Sequence, residues 1–410
     1  MDPEHLEEEE DLNEAFVDVD NLEDGQVVGD YNEDDEAPEE DEDEFDQDGL
    51  AGQPEGEVEM EQDLDTGPDD ALNVLEAHAD AAIAVAWHPT DPTLLASGGC
   101  DERAFLWRVA GTGPDAVVEK QELVGHTDTV TALAFSVDGG LLATAGLDGK
   151  TLIWDARGNK TTQLEGPAEG LEFVCWHPKG PVVLAGSEDY SAWMWNAKTG
   201  ACMQVFTGHS GSVNCGAFTP DGKSVITGSA DGTLRIWDPR SGTCTFTVQG
   251  HPYHEGALTC LDVSADGGLV ISGSEDKTAK LVNVAGGKCK GSLDGHLDSV
   301  ECAKLCRSMP VAATGSMDGT CMVWDLATLQ MRATLPHGEG VVKLAWHPTS
   351  PLVYTACLDG RLRIWDARTG GCVRALGGHK AGVQDLSVRS DGQFVVTAAD
   401  DHSVRIFSAA

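Results

Sequence analysis

A unit of about 43 residues recurs eight times between Leu75 and the end of this chain. Its clearest copy runs from Gly208-His209 through Thr227-Gly228-Ser229-Ala230-Asp231-Gly232 to Trp237-Asp238. Between these landmarks, short runs alternate apolar and polar residues and break at Asp-Gly, the pattern of strands joined by tight hairpins. No helical period of useful length appears. A four-strand unit cannot bury both faces alone, so the copies must cover one another. A closed ring does this and also removes the exposed edges of a linear array. The expected fold is all-β, an eight-bladed β-propeller.

The repeat is anchored on the residue that ends each third strand: Trp107, Trp154, Trp195, Trp237, Val282, Trp324, Trp365 and Phe407. Six residues earlier stand Asp101, Asp148, Asp189, Asp231, Asp276, Asp318, Asp359 and Asp401. Four residues before each Asp comes Ser97, Thr144, Thr227, Ser272, Thr314, Thr355 or Thr397, with Ala185 in the third copy. Upstream lie His78, His126, His209, His251, His296, His337 and His379, with Pro167 in the third copy. A carboxylate set among an imidazole, a hydroxyl and an indole N–H can satisfy every donor it meets, pinning a hairpin to the preceding loop. On paper this looks like a catalytic triad. An enzyme needs one such site and not eight, so these residues are expected to be structural.

In the clearest copy the expected strands are Val213–Phe218, Ser224–Ser229, Thr233–Trp237 and Thr245–Val248. The final copy stops three residues after Phe407, before a fourth strand. Leu72-Asn73-Val74-Leu75 has the pattern of a fourth strand, so residues 71–76 are expected to complete the last blade and close the ring.

Charge divides the chain in two. Residues 1–70 hold 33 Asp and Glu and neither Lys nor Arg, leaving 37 acids against 26 bases in 71–410. A segment so charged and so poor in apolar residues cannot offset chain entropy by burial, so 1–70 is expected to be a disordered acidic tail. The balance argues against direct contact with nucleic acid and for basic partners or solubility. No pair among the 12 Cys has zinc-finger spacing, which implies buried thiols in a reducing compartment. The acidic start is unlike a signal peptide, and no 18-residue apolar run exists. The expectation is a soluble cytoplasmic monomer, also nuclear, without membrane contact, metal or cofactor.

Together these residues resemble the WD-repeat β-propellers over residues 71–410, and the signature dipeptide stands at 154–155, 237–238, 324–325 and 365–366. The acidic tail, the eight repeats, Trp-His-Pro at 87–89, 176–178 and 346–348, and an ending on a third strand are similar to the angio-associated migratory cell protein family. That family includes dedicated chaperones of one large-subunit ribosomal protein. The resemblance implies capture of a basic, newly made ribosomal protein by its N-terminal segment. Animal members are also linked to migration and heparin. A heparin site needs a basic cluster, which this N-terminus lacks. Repeats three and five depart from the pattern, at Pro167 and Ala185 and at Val282-Asn283 with a longer 250–259 loop.

In this fold, two positions per blade line the narrow face: the residue before each hairpin Asp, and the second residue of each first strand. The former are Cys100, Leu147, Glu188, Ala230, Glu275, Met317, Leu358 and Asp400, and the latter Ile83, Thr131, Glu172, Asn214, Thr259, Glu301, Val342 and Gln384. None is basic and five are acidic. Nearby loops add Glu169, Asp298, Glu255 and Glu339, and Tyr190 offers a face for cation–π contact. Carboxylates around a ring would concentrate a cationic peptide and pair its Arg side chains. The expected partner-binding set is therefore Glu172, Glu188, Tyr190, Glu275, Asp298, Glu301, Met317, Leu358 and Asp400. Trp-Asp-x-Arg at 154–157, 237–240 and 365–368 matches a pattern of ubiquitin-ligase substrate receptors, an alternative role beside a signalling or migration scaffold. The Trp-His-Pro histidines are expected to be turn residues. There is no P-loop and no nucleophile elbow.

Overall fold

Eight four-stranded antiparallel sheets make up the described part of the chain. A computed structural model describes residues 67–113 and 115–409. The acidic segment through residue 66 lies outside the described residues. Seven blades are consecutive in sequence: 82–123, 130–164, 171–206, 215–248, 258–294, 300–336 and 341–376. The eighth combines Val383–Val388, Phe394–Ala399 and Ser403–Ser408 with Asn73–Glu76 from the other end of the chain. That last pairing sets Asn73 opposite Ile406 and Glu76 opposite Ser403. Asp69 adds an ion pair to Arg405, and the Gly377 and Asp70 amides donate to Asp70 Oδ2 and the Gly377 carbonyl at 2.9 and 3.0 Å.

The burial pattern follows each strand's place between channel and rim. Second strands such as Leu94–Gly99, Val182–Ser187 and Val311–Ser316 are buried at every position. The outer strand Val117–Leu123 is exposed except at Leu123. Each apolar cluster mixes neighbouring blades: Val85, Leu95 and Trp107 of the first pack with Val396, Val404 and Ile406 of the eighth. Each large apolar side chain so buried contributes about 1.5–3 kcal/mol relative to exposure. The clearest copy forms slightly shorter inner strands than its alternation suggests, Cys215–Phe218, Val225–Gly228 and Leu234–Trp237, with Cys244–Val248 outside.

The hairpins share one backbone device. The residue after each hairpin Asp has positive φ, as glycine at 149, 232, 319 and 360, and as Glu102, Tyr190, Lys277 and His402 with φ of 65–70°. A non-glycine residue there is held against an intrinsic preference of roughly 1 kcal/mol or more.

The repeated polar network forms around these hairpins. In the fourth blade, Trp237 Nε1 donates to Thr227 Oγ1 at 2.8 Å, and His209 places Nε2 2.8 Å from that oxygen and Nδ1 3.1 Å from Asp231. The carboxylate can only accept, so His209 Nδ1 carries the proton and Nε2 accepts from the threonine. The same geometry joins His78, Ser97, Asp101 and Trp107. It recurs at His126, Thr144, Asp148 and Trp154 and at His296, Thr314, Asp318 and Trp324. In the eighth blade His379 joins Thr397 and Asp401, with Phe407 in the indole's place.

Three blades depart from this network, the third as its Pro167 and Ala185 lead one to expect. In the fifth, His254 and not His251 bonds Asp276 and Ser272, at 2.8 and 3.0 Å. The longer loop also turns Tyr253 inward, and its hydroxyl meets Ser272 at 2.9 Å, where other blades place an indole N–H. In the seventh, His337 does not reach Asp359. Its Nδ1 donates to the Leu335 carbonyl at 2.9 Å, because the Arg363 guanidinium occupies both Asp359 oxygens at 3.1 and 2.5 Å. In the third, Asp189 instead accepts from the Ala168 and Ser191 amides and from the Ser191 hydroxyl, while the Trp195 indole donates to the Glu165 carbonyl.

On the opposite face the Trp-His-Pro histidines join blades. His88 Nε2 lies 2.8 Å from the Gly139 carbonyl and His177 Nε2 3.3 Å from that of Gly222. Their Nδ1 atoms accept turn amides, as His347 Nδ1 does from Ser350 at 3.0 Å.

A candidate docking face at the mouth of the central channel

Seven blades contribute the second residue of their inner strand, and the fourth the residue just before it, to one central cavity of about 740 Å³. All eight expected positions line it: Ile83, Thr131, Glu172, Asn214, Thr259, Glu301, Val342 and Gln384. They converge because side chains alternate along a strand and the first strand of each blade faces the axis. Three of them zip the ring. The Thr131 hydroxyl donates to the Leu171 carbonyl at 2.5 Å, the Asn214 amide to that of Leu258 at 2.9 Å, and the Thr259 hydroxyl to that of Val300.

The residues before the hairpin Asp form an outer circle. Ala230 lines the cavity itself. Glu188 is exposed, and its carboxyl lies close enough to that of the half-buried Glu172 to act on it. Burial, followed by the negative charge of Glu188, raises the Glu172 carboxyl above its ordinary range. Asp400 accepts from the Gln384 amide at 2.7 Å, and Glu301 from the Ser299 hydroxyl at 2.5 Å. Glu275 and Asp298 are exposed, and Leu358 is half-buried. Tyr190, Met317 and Leu147 are 52%, 40% and 36% exposed, so apolar surface stands between the acidic groups. Met317 packs over the next inter-blade loop, where a Cβ on Gly340 would come within 2.8 Å of its sulfur.

Two lysines escape a count restricted to those sixteen positions. Lys304 and Lys343 line the same cavity. Lys304 pairs with Asp262 at 3.1 Å and Lys343 with Asp385 at 3.2 Å. Asp385 holds the Lys343 ammonium above its ordinary range and also accepts from the Val85 amide at 2.8 Å. The Leu305 amide donates to Asp262 at 2.8 Å. These cations are neutralised within the channel wall. Glu172 and Glu301 have no Lys or Arg nitrogen within 4 Å among the described residues.

The Trp-Asp-x-Arg arginines lie on turns between third and fourth strands, away from this mouth. Arg368 clasps Asp366 of its own turn at 3.1 and 2.7 Å. Among the described residues no group of three or more His, Cys, Asp and Glu could hold a metal ion. The thiols of Cys215, Cys260 and Cys302 donate towards backbone carbonyls, and burial raises their pKa, that of Cys260 to about 11. No helix among the described residues is long and apolar enough to cross a membrane.

The WD domain, G-beta repeat, matches residues 70–108, 118–155, 158–196, 200–238, 242–283, 287–325, 329–366 and 370–408. Human angio-associated migratory cell protein is 35% identical over 356 residues, spanning 83% of this chain and 80% of the human one. The structure of Chaetomium thermophilum Sqt1 bound to the N-terminus of the ribosomal protein L10 superposes with a TM-score of 0.76 at 24% identity, covering 83% of this chain and 100% of that one. Saccharomyces cerevisiae Sqt1 gives a TM-score of 0.75 at 22% identity over 83% of this chain and 99% of that one.

Proposed function

This chain belongs to the WD-repeat β-propellers and, within them, to the angio-associated migratory cell protein family, and from that premise we propose that its hairpin face captures a cationic polypeptide. The client is a basic large-subunit ribosomal protein, held by its N-terminal segment and escorted to the assembling particle. The role is non-enzymatic and belongs to the cytoplasm and nucleus.

The observation that carries this reading is the Glu172–Glu188 contact at the channel mouth. Two carboxyls lie close together with no basic side chain paired to them among the described residues, and burial, with the Glu188 charge adding to it, raises the Glu172 carboxyl above its ordinary range. A client Arg or Lys would relieve that repulsion and gain a forked or point-charge pairing. Tyr190, Met317 and Leu358 supply apolar and aromatic contact, and Glu275, Glu301, Asp298 and Asp400 extend the field around the ring. The Sqt1 complex supports the class of client, since that propeller is bound to a ribosomal protein N-terminus. On reaching ribosomal RNA the client exchanges carboxylates for phosphates.

The test is calorimetric titration of the N-terminal peptide of ribosomal protein L10 into the full chain at low and moderate salt. Affinity should fall steeply with ionic strength, and Glu188→Lys with Glu301→Lys should weaken it at least roughly tenfold while leaving the thermal unfolding midpoint in place. Binding indifferent to both salt and charge reversal would refute capture by this face.

A further inference from the structure

The face opposite the hairpins carries a second cavity, of about 650 Å³, between the second and third blades. Its wall combines apolar groups with two ammonium groups. Val137, Leu141, Pro178, Pro181 and Ala197 line it together with Lys179 and Lys198. Val137 is 61% exposed, an unusual position for a valine with apolar neighbours beside it. Asp138 lies in the same wall, and the charges of Lys198 and Lys179 help to hold Asp138 and Asp221 low, but neither lysine forms an ion pair within 4 Å among the described residues. The nearest acids are engaged elsewhere. Asp138 accepts from the Ser136 hydroxyl at 2.6 Å and the Gly140 amide at 3.0 Å, and Asp221 from the Thr219 hydroxyl at 2.7 Å and the Lys223 amide at 3.0 Å.

A site with apolar walls and two ammonium groups that no carboxylate contacts directly fits an extended peptide in which apolar and acidic residues alternate. Alternation sends successive side chains to opposite sides, so the apolar set can enter the cavity while the acids meet the lysines at its lip. The chain itself contains such a peptide. Residues 1–66 hold 31 acids and neither Lys nor Arg, and within them Glu14-Ala15-Phe16-Val17-Asp18-Val19-Asp20 sets Ala15, Val17 and Val19 on one side and Glu14, Asp18 and Asp20 on the other, with Phe16 at the edge among the acids. We propose that this cavity is the docking site of the chain's own segment 14–20.

Reach permits it. The 48 residues between Asp20 and Asp69 span at most about 160–170 Å when extended, and about 35–40 Å as a flexible coil. Tethering supplies an effective concentration on the order of millimolar, enough for weak contacts to be populated. Electrostatics select the face. The hairpin mouth presents Glu172, Glu188 and Glu301 and repels an acidic peptide, whereas Lys179 and Lys198 attract it. Docking would also keep residues 21–66 looped around the rim, within reach of client charge without filling the client's own surface.

The experiment places a photo-activated benzophenone amino acid at position 16 of the full-length chain. Irradiation should yield monomer-sized product with cross-links confined to peptides containing 136–141 or 178–198. Lys179→Glu with Lys198→Glu should lower that yield about fivefold, as two exposed ion pairs predict, and high salt should do the same. Val17→Ser with Val19→Ser, which leaves every charge in place, should lower it as well. Client affinity should be unaffected by the lysine reversals. Cross-links on hairpin-face peptides, products joining two copies, or a yield indifferent to all three changes would each overturn the proposal.

Discussion

On the proposed reading, single residues at the channel mouth trade stability for recognition. Tyr190 keeps a side chain at φ 70°, where four sister hairpins use glycine. Tyr190→Gly should therefore stabilise the fold by up to about 1 kcal/mol in urea denaturation, yet weaken binding of a basic peptide. Glu172 behaves alike. Its folded pKa is raised, so the fold favours the protonated form, and the ionised form at neutral pH is a burden. Glu172→Gln should raise the unfolding midpoint at pH 7, less so at mildly acidic pH, while lowering client affinity. Tyr253 shows the opposite logic, a residue recruited to hold structure. Tyr253→Phe leaves Ser272 without its hydroxyl partner and should destabilise by about 1 kcal/mol. The Asp-to-Trp spacing was legible because each blade closes its own hairpin locally. Tyr253 and Arg363 were not, because long side chains choose partners by reach through space, which spacing along the chain does not record. Lys304 and Lys343 were missed for a simpler reason: they lie further along the inner strands than the positions considered.

Blades are stabilised by elements that must be in one protonation state. Burial lowers the pKa of His78, His296 and His379, and burial with the Arg363 charge lowers that of His337 to about 4. These rings are neutral in the fold, whereas the unfolded chain takes up protons below about 6.5. Their stabilisation is complete above that pH and is lost as pH falls towards 4. For Asp148, Asp231, Asp276, Asp318 and Asp401 burial alone would raise the pKa. Hydrogen bonds from the network, histidine foremost in most of them, outweigh it and hold them low. Their contribution is present above the ordinary carboxylate range and lost below it. Urea midpoints should therefore decline from pH 7 to 4 and decline further below. His337→Gln should flatten the first part by roughly 3 kcal/mol at most. The closing strand is a second element-scale test. Leu75 is 1% exposed against Val404 and Ile406, so Leu75→Ala should destabilise by about 2–5 kcal/mol. It should also speed amide exchange at 403–408 more than an equal truncation elsewhere.

At the scale of the whole molecule, two faces of one ring carry opposite chemical invitations: carboxylates at the channel mouth, lysines over an apolar hollow behind it. Blade number and the inward-facing positions follow from repetition and strand alternation. Charge placement required coordinates, since whether a lysine is neutralised depends on the blade beside it. Ring closure carries a temporal consequence as well. Residues 73–76 pair with partners 327 to 333 positions later. At the usual pace of translation, roughly 15–65 s separate the emergence of the two halves of that sheet. Throughout that interval the earliest strand waits with its backbone unmatched, open to pairing with other chains until the last blade arrives.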